Sequence, residues 1–138
     1  IHLGDIAVFF TALTFGPWIC MIAGGLGTGL ADLLTGKYAF FAPLSVVVHG
    51  TQGFVTGWIY QKWSTKMGLF VSVFAGGLIV VFGYFAGKLI LPIWGGFASA
   101  VSSLPFDTVQ VLAGALGAVL HLAVVRAYPR LRPNDRYS

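Results

Sequence analysis

Each charged residue from Asp5 to Arg126 stands at or near the end of an apolar run, and the runs themselves are nearly free of charge. That arrangement constrains the fold more than any motif does. The chain is 57% hydrophobic and only 9% charged, whereas soluble domains carry about 25% charged residues. So few charges cannot cover a water-exposed surface, so the sequence reads as an all-α integral membrane protein. There is no Glu, and the acids are Asp5, Asp32, Asp107 and Asp135. A net charge of +4 would point to nucleic acid only if the basic residues formed a patch on a soluble surface. Here membrane topology explains them better. The single Cys20 lies in an apolar run, makes no intrachain disulfide, and reads as a small buried hydrophobe.

A helix needs about 20 apolar residues to cross a bilayer. Five segments qualify or come close. They run from about Asp5 to Phe15, Trp18 to Leu34, Pro43 to Tyr60, Gly68 to Leu91, and Phe106 to Tyr128. Gly16-Pro17, Pro92, Pro105 and Pro129 punctuate them, and Pro43 is tolerated in a first helical turn. The alternation of a β-barrel strand is absent. The stretch from Pro92 to Pro105 reads as the one long loop. Residues 1–128 therefore form a transmembrane helical domain, and 129–138 form a basic tail.

Lys62 and Lys66 follow the third segment, and Arg126, Arg130, Arg132 and Arg136 gather at the tail. Both groups fall on one side of the membrane. The positive-inside rule makes that side, and the C-terminus, cytoplasmic. Five crossings then put Ile1 outside. The chain starts without Met or a signal peptide, so the topology calls for a first helix ahead of it.

Ala23, Gly27 and Ala31 recur every fourth residue, as do Gly25 and Gly29. Such stripes let helix backbones approach closely. The third segment sets Ser45, His49, Gln52 and Thr56 on one face, and the fourth sets Tyr84 and Lys88 one turn apart. In the last segment Asp107, Gln110, Gly114, Gly117 and His121 share a face. These stripes are first of all helix glue. Ionisable groups in a membrane, however, usually face a cavity or a partner. Asp32, Lys37, Lys88 and Asp107 lie near the outer helix ends, with His49 and Gln52 about two turns deeper at 1.5 Å per residue. They outline an outward-facing polar pocket walled by Tyr38, Tyr84 and Trp94. Asp32 and Lys37 also suit a helix-end salt bridge, and Asp107 suits a helix N-cap after Pro105. His121, far down the last helix, suits an interhelix hydrogen bond. His2 and Asp5 sit at the outer mouth.

The sequence has no GxxxxGK[ST], so the chain carries no nucleotide-hydrolysing site of its own. HExxH, CxxC and GxSxG are also missing. The histidines are too dispersed for a metal site, and the Gly-Gly runs sit in membrane helices rather than after a strand. Neither an enzyme nor a metal or cofactor protein is expected.

The runs IHLGDIAVFFTALTFGPW (1–18), AGGLGTGLADLLTGKYAFFAP (23–43) and VVVHGTQGFVTGWIY (46–60) resemble the substrate-binding S components of energy-coupling factor (ECF) transporters. The likeness is in motifs up to about Lys62 and in hydropathy beyond it. It implies a six-helix fold whose first helix, with its docking motif, is not in this sequence. It also implies a prokaryotic plasma-membrane subunit that captures a water-soluble vitamin or precursor with high affinity at the outer side. A transmembrane T subunit and two ATPases would use ATP to drive import. The small-residue stripes of Ala23, Gly27, Ala31, Gly25 and Gly29 would then serve internal packing or T-subunit docking.

Mapped by position, the resemblance places the ligand among Asp5, Lys37, Tyr38, His49, Gln52, Tyr84, Lys88, Trp94, Asp107 and Gln110. Aromatic rings with His and Gln suit a flat pyrimidine or pyridine, such as hydroxymethylpyrimidine, thiamine or pyridoxine, through stacking and edge hydrogen bonds. Lys37 and Lys88 would instead suit the carboxylate of pantothenate, and riboflavin is a further alternative. Outside the transport class, the competing expectation is a structural or assembly membrane protein without a ligand. An autonomous channel would carry polar residues along the whole depth of its helices, which this sequence does not.

Overall fold

The computed structural model describes residues 3–132. Ile1, His2 and the part of the expected tail from 133 onward, including Asp135 and Arg136, lie outside the described residues. The regular elements are all helical: α1 (Gly4–Phe15), α2 (Pro17–Thr35), α3 (Ala42–Lys62), α4 (Lys66–Ile90), α5 (Gly96–Gly114) and α6 (Leu116–Ala127). Short 3₁₀ turns at Ala39–Phe41, Pro92–Trp94 and Pro129–Leu131 join or follow them. Helices α5 and α6 continue one another across Ala115, and together they form one apolar crossing. Helix α2, helix α4 and the joined α5–α6 are each long and apolar enough to span a membrane.

The punctuation works through backbone chemistry. Gly16 takes φ 96°, a conformation open to glycine, and Pro17 then starts α2 where its missing N–H costs nothing. The chain thus reverses within one residue. The Thr65 hydroxyl caps α4 by accepting from the Gly68 N–H at 3.1 Å. Helix α4 ends ahead of Pro92, which cannot continue it.

The expected loop from Pro92 to Pro105 is a correction. Only its first turn is irregular, and α5 begins at Gly96 and carries Pro105 in its interior. Pro105 leaves the Val101 carbonyl, four residues back, without its helical N–H donor, a cost that membrane helices tolerate. On either side of it the Ser102, Ser103 and Thr108 hydroxyls donate to the Ser99, Ala100 and Leu104 carbonyls at 3.2, 3.3 and 2.7 Å. Asp107 accordingly lies within α5 and does not cap a helix start.

Helices α1 and α3 hold the centre. α1 packs on α2, α3, α5 and α6, and α3 packs on α1, α2 and α4. The α2–α3 seam is made of backbone. A Cβ on Gly25 would stand 2.9 Å from the Val46 carbonyl, and one on Gly57 would stand 2.7 Å from the Pro17 nitrogen. From α3, Gly53 sits against the Cys20 side chain. The two stripes read on α2 therefore diverge. Gly25 and Gly29 close the seam with α3, whereas a Cβ on Gly27 would meet nothing within 4 Å. Ala23, Gly27 and Ala31 instead line an open groove of about 430 Å³, with Ala7 and Thr11 of α1 on its other wall.

Large apolar side chains such as Ile22, Leu26, Phe70, Phe74, Phe82 and Leu112 point outward, as lipid-facing residues do. Inside, polar contacts fall into two groups at opposite ends. Nearer the basic end, His121 Nδ1 lies 3.0 Å from the Thr14 hydroxyl and Nε2 lies 3.2 Å from the Tyr60 hydroxyl. His121 thus makes interhelix bonds that tie α6 to α1 and α3. The larger group occupies the other end.

Candidate functional site

At that end the termini of α1, α2 and α4 meet the starts of α3 and α5. Asp5 stands in the first turn of α1, where the helix dipole favours a carboxylate. Ser45, His49 and Gln52 recur on one face of α3, all of them buried. The periodicity that marked them in the sequence aims them at α1 and α4.

One chain of contacts crosses the bundle. Ser45 donates to Asp32 of α2. The Tyr84 hydroxyl of α4 lies 2.7 Å from Ser45 Oγ and 3.2 Å from His49 Nε2. His49 Nδ1 lies 2.8 Å from Gln52 Oε1 and 3.5 Å from Asp5 Oδ1. Gln52 Nε2 donates to Asp5 Oδ1 at 2.8 Å, and Gln110 Nε2 of α5 donates to Asp5 Oδ2 at 2.5 Å. The Gln52 amide presents its oxygen to the imidazole and its nitrogen to the carboxylate. Five helices are thereby joined through side chains in an interior where an unmade hydrogen bond is costly.

A second cluster adjoins the first across the Tyr84 ring. Lys88 Nζ donates to Ser103 Oγ at 2.6 Å and lies 3.9 Å from Asp107 Oδ2. The same ammonium stands 5.5 Å from the Tyr84 ring centroid and 5.6 Å from that of Phe41. Asp107 Oδ2 is buried and accepts no hydrogen bond from a described residue. The wall beside these groups is apolar and aromatic. Leu44, Val48 and Val80 form its core, and Phe41, Tyr84, Trp94 and Val111 pack against them. Trp94 also donates from Nε1 to the Phe40 carbonyl at 2.6 Å, tying together the turns that precede α3 and α5.

Of the residues expected at a ligand site, Asp5, His49, Gln52, Tyr84 and Gln110 form one network, Lys88 and Asp107 stand beside it, and Trp94 covers one side. Lys37 and Tyr38 lie apart from it. Both are exposed in the turn after α2, with the Lys37 ammonium 5.4 Å from the Tyr38 ring centroid. Asp32, Ser45 and Ser103 also belong to the two clusters. The sequence places Asp32 at the outward-facing polar pocket, though not among the ligand residues, and Ser45 shares the helical face of His49 and Gln52. Ser103 falls in the stretch expected as a loop.

The fold and its interior define a multi-pass helical membrane protein with a buried polar cluster at one end. Comparison with known proteins gives the particular kind. The profile of the ECF-type riboflavin transporter, S component, matches residues 1–128, and the chain belongs to that family. It is 34% identical over 115 residues to an uncharacterized protein in the gap 3' region of Pyrococcus woesei, covering 83% of this chain and 74% of the relative. It is 33% identical over 112 residues to the thiamine precursor transporter HmpT of Lactococcus lactis subsp. cremoris, covering 80% of this chain and 60% of that protein.

Proposed function

We propose that this chain captures a water-soluble vitamin or vitamin precursor, and that the substrate is a flat, nitrogen-rich ring of the aminopyrimidine class, such as hydroxymethylpyrimidine or thiamine. The observation that carries the substrate class is Asp107, whose buried Oδ2 accepts no hydrogen bond from a described residue although the Lys88 ammonium lies 3.9 Å away. A buried acceptor left without a donor is expensive, so the site favours a ligand that supplies N–H donors or positive charge. An aminopyrimidine edge does so, and Tyr84, Phe41 and Trp94 supply faces for its ring. The carboxylate of pantothenate would stand as a like charge beside Asp107. The name of the Lactococcus relative points the same way.

Riboflavin is the second reading, favoured by the description of the matching family. Its ring would use the same aromatic wall and its hydroxyls the same carboxylates.

In this proposal the polar end faces outward and the basic end faces the cytoplasm, as the positive-inside rule requires. A T subunit and two ATPases drive import with ATP. The groove of Ala23, Gly27 and Ala31 supplies the smooth face on which a partner transmembrane helix docks.

The test is titration of the purified full chain with hydroxymethylpyrimidine, thiamine, pyridoxine, riboflavin and pantothenate, read by calorimetry and Trp fluorescence. The expected result is tight binding of one pyrimidine compound and no measurable pantothenate binding. Preferential pantothenate binding would overturn the charge argument. Saturable riboflavin binding alone would select the second reading, and no ligand at all would return the clusters to a purely structural role.

A further inference from the structure

The end of the bundle away from the vitamin cluster holds a cavity of about 810 Å³ that the transport reading does not use. It opens between the start of α4 and the end of α6. Lys66, Arg126 and Arg132 line it together with the Ser64 and Thr65 side of the α3–α4 turn. Leu69, Val119 and Leu122 form its apolar wall. Among the described residues no carboxylate lines it, and Asp5, Asp32 and Asp107 all belong to the opposite end.

Its depth in the membrane is marked independently. Trp58, Trp63 and Tyr128 are exposed at this end, and Lys62 lies over the Trp58 ring at 4.1 Å from its centroid. Exposed Trp and Tyr beside Lys and Arg are the signature of the membrane–water boundary. A cavity at that level, with a cationic rim and an apolar wall running toward the bilayer, has the two-part chemistry of a phospholipid.

We propose that this cavity is a binding site for an anionic phospholipid, whose phosphate lies among Lys66, Arg126 and Arg132 and whose first acyl carbons lie along Leu69, Val119 and Leu122. A soluble phosphate would use the cations and leave the apolar wall uncovered, so the lipid fits the whole surface. Each cation near an anionic headgroup strengthens binding about fivefold. The bound lipid would pin α4 to α6 at an end where the described contacts between them are otherwise slight.

The experiment is native mass spectrometry of the full chain with an equimolar mixture of phosphatidylglycerol and phosphatidylcholine of matched acyl chains. The wild type is expected to retain phosphatidylglycerol preferentially. Lys66→Gln, Arg126→Gln and Arg132→Gln should each reduce that preference about fivefold. Lys62→Gln, which removes a cation of the same end that does not line the cavity, should leave it unchanged. Melting curves select the variants that remain folded, and the single substitutions suffice if their combination does not fold. Three results would each overturn the proposal: equal retention of the two lipids, an equal loss in Lys62→Gln, or release of the lipid by millimolar inorganic phosphate, which would assign the cavity to soluble anions.

Discussion

Tyr84 and His49 meet edge to face, with ring centroids 5.8 Å apart, and the Tyr84 hydroxyl lies 3.2 Å from His49 Nε2. The same hydroxyl lies 2.7 Å from Ser45 Oγ, so one oxygen joins the Asp32–Ser45 arm of the network to the His49–Gln52–Asp5 arm. The ring beneath it faces Lys88. Tyr84 is thus the piece shared by both polar clusters.

Tyr84→Phe removes the oxygen and keeps the ring. We expect a stability loss of about 1–2 kcal/mol, the usual cost of leaving buried partners unsatisfied. Ligand affinity should fall while the packing against Leu44 and Val48 survives. Chemical melting in detergent and ligand calorimetry measure the two effects separately. An unchanged melting curve with unchanged affinity would remove Tyr84 from the site.

Asp5 is the more severe position, because Gln52 and Gln110 both donate to it. Asp5→Ala orphans the buried Gln52 amide and the half-buried Gln110 amide and should cost about 2–3 kcal/mol. Asp5→Asn keeps the shape but supplies a donor where an acceptor is needed. It should weaken binding of a pyrimidine ligand at least about tenfold, the equivalent of one lost charge-assisted hydrogen bond. The two variants together, measured by melting and by titration, separate folding from recognition.

The first four helices were legible in the sequence because their ends are set by backbone chemistry. Gly16-Pro17, Pro43 and Pro92 are punctuation whatever the tertiary contacts, and the observed bounds fall within two residues of those expected. Pro105 misled for the same reason. Its cost to a helix is outweighed by the packing of α5 on α4 and α1, a tertiary term that local reading does not contain. The polar face of α3 was visible as a period. Its attachment to Asp32 was not, because Asp32 is nearer in sequence to Lys37 than to Ser45, and the choice between them is made by the turn over Ala39–Phe41.

The glycines offer a paired test. Gly57→Ala puts a methyl against the backbone of Gly16 and Pro17, which cannot step aside as a side chain could. Overpacking of this kind costs about 1–3 kcal/mol. Gly27→Ala meets open space and should be neutral or stabilising by up to about 1 kcal/mol through helix propensity. The melting temperature should fall in Gly57→Ala and hold or rise in Gly27→Ala. A bulkier Gly27→Leu should leave melting and ligand binding intact while reducing copurification with the T subunit.

Cys20 provides a reporter already in place. Its thiol is fully buried, donates to the Val8 carbonyl at 3.2 Å, and packs against Gly53. We expect no reaction with a fluorogenic maleimide below the melting transition and rapid labelling through it. Labelling of the native protein within minutes would show that the α1–α2–α3 seam opens locally, on the scale described for sub-global unfolding.

Asp5 and Gln110 are 105 residues apart, and that separation bears on how the protein is made. Asp5 enters the membrane with the first helix of the described chain, long before the ribosome has produced the amide that completes its shell. A carboxylate is a poor passenger in hydrocarbon. In the interval it must stay hydrated near the boundary or be held by Gln52 and His49 once α3 arrives. The last crossing therefore completes the polar interior as well as the topology. A ribosome stalled before α5 has emerged should leave a bundle with its helices inserted and its interior still wet, open to the quality-control proteases that survey unfinished membrane proteins.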